Sequence, residues 1–140
     1  MVVKSLTPNL LVDDVSQSIE FYTQNLEFSF VMGVTDEKQL FLEFDKNQKL
    51  AFAIVAKDGV QIMFQDITNA STDLGLELKS DKNISNSIIY IEIDEFDSFY
   101  EKLKEKVSIV NEPRHTFYGM KEFYIKDNNE NIVGFAEKLL

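Results

Sequence analysis

Cysteine is absent from the 140 residues. That excludes disulfides, thiolate nucleophiles and zinc or iron–sulfur centres held by cysteine. No run approaches the ~18 consecutive apolar residues of a membrane-spanning helix, so no membrane partner is expected. The opening Met1-Val2-Val3-Lys4 runs straight into strand-like sequence rather than a signal peptide, and a cytoplasmic location is the expectation. Basic clusters interleaved with aromatics are missing too, and 24 acidic against 14 basic side chains leave a net charge of −10. Such a surface repels phosphate backbones, so nucleic acid is not an expected partner. The same field favours a cationic ligand, although an acidic surface more often serves solubility alone.

What is present suffices for an ordinary core. A chain of this length buries about 68% of its unfolded surface, and twelve phenylalanines and five tyrosines supply large side chains. After the apolar run Leu10-Leu11-Val12, the residues Val15, Ile19, Tyr22 and Leu26 recur at the spacing of one helix face, with Asp14 placed as N-cap. Segments 28–33, 40–44, 50–56 and 60–65 then read as strands, the last two joined by the turn signal Lys57-Asp58-Gly59. The second half repeats the order. Ile88 to Ile93 is strand-like, Phe96, Phe99, Tyr100, Leu103 and Val107 follow at helical spacing, and 108–110, 120–126 and 132–136 read as strands. A shift of 81 lays Val12-Asp13 on Ile93-Asp94, and a shift near 71 lays Ile54 on Ile125 and Met63 on Gly134. The polar stretch between the halves reads as a linker. The expectation is a single α+β domain over 1–140, with two tandem βαβββ modules (about 4–65 and 88–138) joined by a linker at 66–87. They are expected to form a cupped mixed sheet with helices on its outer face.

Alternation along each strand separates two faces. Ile89, Ile91 and Ile93 are uniformly aliphatic and suit helix packing. The opposite faces mix apolar and polar side chains: Asn9 with Leu11, Gln61 with Met63 and Gln65, Tyr90 with Glu92. A curved sheet with that inner face makes a concave ligand site; the alternative is an open sheet whose polar residues face water.

The run from Asn9 to Leu26 resembles the opening module of the vicinal oxygen chelate superfamily, which includes glyoxalase I, extradiol dioxygenases, fosfomycin-resistance enzymes and bleomycin-resistance proteins. The run from Tyr118 to Phe135 resembles its last hairpin, with Asn128 and Glu130 standing where the usual Asp-Pro-x-Gly has Pro and Gly. The resemblance spans nearly the whole chain outside the linker and implies the fold just described. It also implies four cup-facing metal-ligand positions, which fall here on Thr7, Met63 (within one residue), Ile88 and Gly134. None is a convincing ligand, and the single histidine, His115, lies away from all four, so no metal and no cofactor is expected.

The candidate ligand-binding residues are therefore Asn9, Met63, Gln65, Tyr90 and Glu92 on the cup floor, Glu122 and Tyr124 on the last hairpin, and Arg114, His115 and Tyr118 in a loop at the rim. No catalytic residue is assigned. Arg114 would pair with an anionic substrate or simply neutralise Glu112. His115 is an acid–base candidate or a bystander. Glu92 and Glu122 together would be a base pair or a solvated one. Tyr124 stands where fosfomycin-resistance relatives place a ligand-touching tyrosine, or is ordinary core.

The leading expectation is a metal-independent binding protein, similar to the bleomycin-resistance branch, that sequesters a drug or metabolite. A glyoxalase-like lyase or isomerase, or a dioxygenase-type enzyme with an atypical site, is the alternative, and a protein-contact module is a third reading. Whether the chain is an enzyme stays open at this level. A two-fold homodimer is the expected assembly.

Overall fold

Val15, Ile19 and Tyr22, the residues placed on one helix face by their spacing, are all buried in the structure, a computed structural model that describes residues 1–79, 81 and 85–140. Positions 80 and 82–84 of the expected linker lie outside the described residues. The chain divides into two units, Met1–Ser80 and Asp81–Leu140.

In the first unit, β1 (Asn9–Val12) leads into α1 (Val15–Gln24). Asp14 caps the helix, its carboxylate accepting a hydrogen bond from the Gln17 N–H at 3.1 Å. The strands β2 (Ser29–Thr35), β3 (Leu40–Phe41), β4 (Leu50–Lys57) and β5 (Val60–Asp66) follow. The sheet order is β1-β5-β4-β2-β3, with β1 parallel to β5 and the remaining pairs antiparallel. Tyr22 of α1 packs on Phe64 of β5, ring centroids 4.9 Å apart, beside buried Val12, Ala53, Val55 and Ile62. Fully burying side chains of this size stabilises by about 1.5–3 kcal/mol each. Only two residues of the strand expected at 40–44 pair with β2.

The second unit repeats the plan with β6 (Ile88–Glu92), α3 (Phe96–Leu103), β7 (Ser108–His115), β8 (Met120–Lys126) and β9 (Ile132–Lys138), ordered β6-β9-β8-β7. Phe123 is the hub of its core. Its ring meets Phe96, Tyr100 and Phe135 at centroid distances of 5.2, 4.9 and 5.3 Å. Here the helix starts at Glu95, in the left-handed region with φ +58° and without a side-chain cap. Each unit is thus a βαβββ module, the first carrying the short β3 in addition, and the fold is α+β.

Three expectations change. The segment read as a linker begins with a helix that was not anticipated: its first part forms α2 (Ile67–Leu74), capped by the Asp66 carboxylate on the Asn69 N–H at 2.9 Å and closed by Gly75 at φ +66°. Next, β7 extends to His115 rather than ending at Val110. It is an edge strand with two register irregularities, which is where Pro113 is tolerated and where alternation ceases to be readable. Finally, Ile54 corresponds to Tyr124, not Ile125. Lys57 pairs directly with Val60, whereas the Asp127 N–H donates to the Asn131 carbonyl at 2.9 Å across one further residue, with Glu130 at φ +62°. The extra residue of this longer hairpin loop makes the shifts 70 for one strand and 71 for the other. Among the described residues no helix is long and apolar enough to cross a membrane.

Candidate functional site

One face of each sheet packs against α1 or α3, and the register decides which side chains share the other face. In the second unit Tyr90 lies opposite Gly134, which lies opposite Tyr124, and Arg114 lies opposite Glu122. Paired residues point to one side of a sheet, so Tyr90, Glu122, Tyr124 and Arg114 converge. Tyr118, in the turn between β7 and β8, reaches back to the same point. All three phenols donate to the one carboxylate: Tyr90 to Oε2 at 2.5 Å, Tyr118 to both oxygens at 2.8 Å, and Tyr124 to Oε1 at 3.2 Å. The Arg114 Nη2 stands 3.9 Å from Oε1.

Glu122 has 0% of its surface exposed, yet two of the phenols covering it, Tyr90 and Tyr118, are 47% and 53% exposed. The carboxylate is therefore buried while two of the phenols bonded to it reach solvent. Burial by itself would raise its pKa. The three hydroxyls and the Arg114 guanidinium outweigh that effect and hold it below the usual carboxylate value. The phenols move the other way. Burial, followed by the hydrogen bond and the negative charge of Glu122, raises Tyr90; the bond to Glu122 leads for Tyr118, and burial leads for Tyr124. Gly134 is what allows Tyr124 to lie there, because a Cβ at that position would stand 2.5 Å from the ring. Asn111, at the irregular part of β7, fixes the strand by accepting the Tyr124 N–H at 3.0 Å.

On the first unit, Asn9 lies opposite Met63, and Gln65 opposite both Leu11 and Phe52. Asn9 Nδ2 donates to Gln65 Oε1 at 2.9 Å, Gln65 Nε2 to Asn69 Oδ1 at 2.9 Å, and Asn69 Nδ2 to Asp36 Oδ1 at 3.0 Å. Asn69 and Asp36 were not among the sequence candidates. Asn69 belongs to α2, and the signal that would have found it is Asp66 and Gly75 bracketing a helix-length segment.

Glu92 and His115 stand apart from Glu122. Glu92 shares its face, but a strand lies between them at Ala136, a separation of about 9–10 Å across two strand spacings. Glu92 instead lies 3.6 Å from Lys138 and lines a hollow of about 630 Å³ with Asp94 and Glu137. Glu92 and Glu122 are thus not a joint base pair. His115 is a strand residue opposite Lys121, exposed and on the other side of β7 from Arg114. Arg114 is likewise in β7 rather than in a loop, and the carboxylate it faces at 3.9 Å is Glu122, whereas an anionic substrate or Glu112 was the expected partner.

A family model describing the Glyoxalase/Bleomycin resistance protein/Dioxygenase superfamily matches residues 4–135. The chain belongs to this superfamily. No curated protein matches it. Among solved structures, a protein of unknown function from Agrobacterium tumefaciens str. C58 is similar at 15% identity and TM-score 0.74, covering 99% of this chain and 97% of that one. A glyoxalase/bleomycin resistance protein/dioxygenase from Nocardioides aligns at 16% identity and TM-score 0.73, covering 99% and 87%. A glyoxalase-related enzyme from Fulvimarina pelagi aligns at 13% and 0.73, covering 98% and 89%. At these identities the likeness carries the fold alone. The metal-ligand positions that the resemblance implies fall on Thr7, Met63 (within one residue), Ile88 and Gly134. One hydroxyl and one thioether, with neither imidazole nor carboxylate, do not fit a divalent ion.

Proposed function

We propose that this protein binds a small molecule on the sheet faces turned away from α1 and α3, without a metal ion, sequestering a drug or metabolite in the way a bleomycin-resistance protein would. The observation that supports this reading is the Glu122 cluster. A carboxylate with no exposed surface is roofed by half-exposed tyrosines. Half-exposed aromatic rings with directed polar atoms beneath them are the composition of a ligand platform. The amide chain from Asn9 to Asn69 offers the first unit a second set of donors and acceptors.

An enzymatic reading, with Glu122 as general base, draws less support. A base working near neutral pH benefits from a raised pKa and a free lone pair. Glu122 is lowered and engaged by three hydroxyls.

Thermal-shift screening against small aromatic metabolites and cationic glycopeptides tests the binding reading. A ligand at ~100 times its Kd adds ~2.7 kcal/mol, which a rise in Tm reports. Stabilisation by no compound in the panel overturns the reading. Elemental analysis for Ni, Zn, Mn and Fe should return far less than one ion per chain. Because β1, β3, β6 and β7 lie at sheet edges, the reading includes a two-fold dimer, which light scattering checks.

A further inference from the structure

The direction of every hydroxyl proton in the Glu122 cluster has a consequence for what can bind there. Each phenol has one O–H, and Tyr90, Tyr118 and Tyr124 all give theirs to the carboxylate. The lone pairs left on the phenol oxygens can only accept. A ligand approaching Tyr90 and Tyr118 from solvent therefore meets acceptors and aromatic surface. The fully exposed Phe117 ring, edge-on to Tyr118 at 5.1 Å, extends that surface. A nearby charged donor is Arg114. Its side chain is 58% exposed, and at 3.9 Å it is beyond hydrogen-bond distance from Glu122. An Arg held this loosely is a weak counter-ion.

We infer that this face of the second unit selects an organic cation bearing N–H groups, such as a primary ammonium or an amidinium, which takes the place of the Arg114 guanidinium above Glu122. The inference rests on the proposed binding function and adds the charge of the ligand to it. An ammonium donates to the phenol oxygens, lies against π faces and reaches the field of a carboxylate that water does not touch. A carboxylate or phosphate ligand meets the same phenol acceptors, is offered the Arg114 guanidinium as donor, and approaches under a net charge of −10.

The test uses the full chain and three probes of one shape: phenethylamine, 2-phenylethanol and 3-phenylpropionate. Amide shifts of Tyr90, Tyr124 and Gly134 are followed by NMR titration. The amine should bind about tenfold more tightly than the other two. Arg114→Gln, a change at an exposed side chain, should tighten amine binding by about threefold, and Tyr90→Phe should weaken it by about threefold. Preference for 3-phenylpropionate, loss of binding in Arg114→Gln, or silence of all three probes overturns the inference. Equal binding of all three removes the charge selectivity while leaving small-molecule binding intact, and the thermal screen decides that broader reading separately.

Discussion

The two modules share a strand order and differ on one side of it. Toward the helix both are interchangeable in kind: Tyr22 on Phe64 in the first, Phe96, Tyr100 and Phe135 around Phe123 in the second. Away from the helix the first module carries amides and a thioether in an exposed to half-buried chain, whereas the second carries a fully buried carboxylate under three phenols. Positions equivalent by topology make the point one by one. Asn9 corresponds to Tyr90, Met63 to Gly134, and Ile54 to Tyr124. The helix side answers to packing, which tolerates only apolar residues of fitting volume. The other side is not bound by that packing against a helix, and there the two copies carry different chemistry.

The likeness of the helix sides should give the largest effects. Phe64→Ala and Phe123→Ala remove fully buried rings, and each is expected to cost about 3–5 kcal/mol in urea denaturation. A cost below ~1 kcal/mol in one of them would break the equivalence of the two cores. The contrast of the open faces comes next. Glu122→Leu leaves three hydroxyls without their acceptor and should cost about 2–3 kcal/mol, while Gln65→Leu in the first module should cost under about 1 kcal/mol.

The pH dependence sharpens this contrast. Glu122 has a lowered pKa in the folded chain, so its stabilising contribution is present above the unfolded carboxylate value of 4.5 and is lost as pH falls through the folded value. The three tyrosines are raised, so theirs is present below the ordinary value of 10.0 and is lost as pH rises through the folded values. Melting curves of Glu122→Gln should therefore be flatter than wild type at both ends, and tyrosinate absorbance should appear at lower pH in the variant. Identical titration curves would remove the cluster's electrostatic role.

Smaller still is an inversion at one equivalent pair. Gly134→Ala adds a methyl into the Tyr124 ring and should cost about 2 kcal/mol, more than the ~1 kcal/mol for Met63→Ala, which removes half-buried atoms from an open face. The hairpin turns provide the smallest effect. Asp58-Gly59 has glycine at φ +81°, whereas Glu130 takes φ +62° without one. Glu130→Gly should raise stability by about 1 kcal/mol by relieving the left-handed strain; a lower Tm would mean that the Glu130 contact with Lys126 at 3.8 Å matters more than the backbone.

The duplicated order of elements, the helix-facing residues and the Asp14 cap were legible in the amino-acid sequence, because periodicity and capping act over a few residues and need no partner from elsewhere. The residues around Glu122 were legible as separate candidates but not as one cluster. Tyr90 and Glu122 are 32 positions apart, and only the register through Gly134 and Ala136 puts them on one face with Tyr124. Arg114 and His115 read as loop residues because Pro113 and two irregularities hide an edge strand, and α2 was missed because a polar composition outweighed its caps. Short-range order belonged to the sequence alone. Which side chains meet, which carboxylate is buried and which hydroxyls give it their protons were decided by strand pairing, since a shift of one residue turns every side chain to the opposite face.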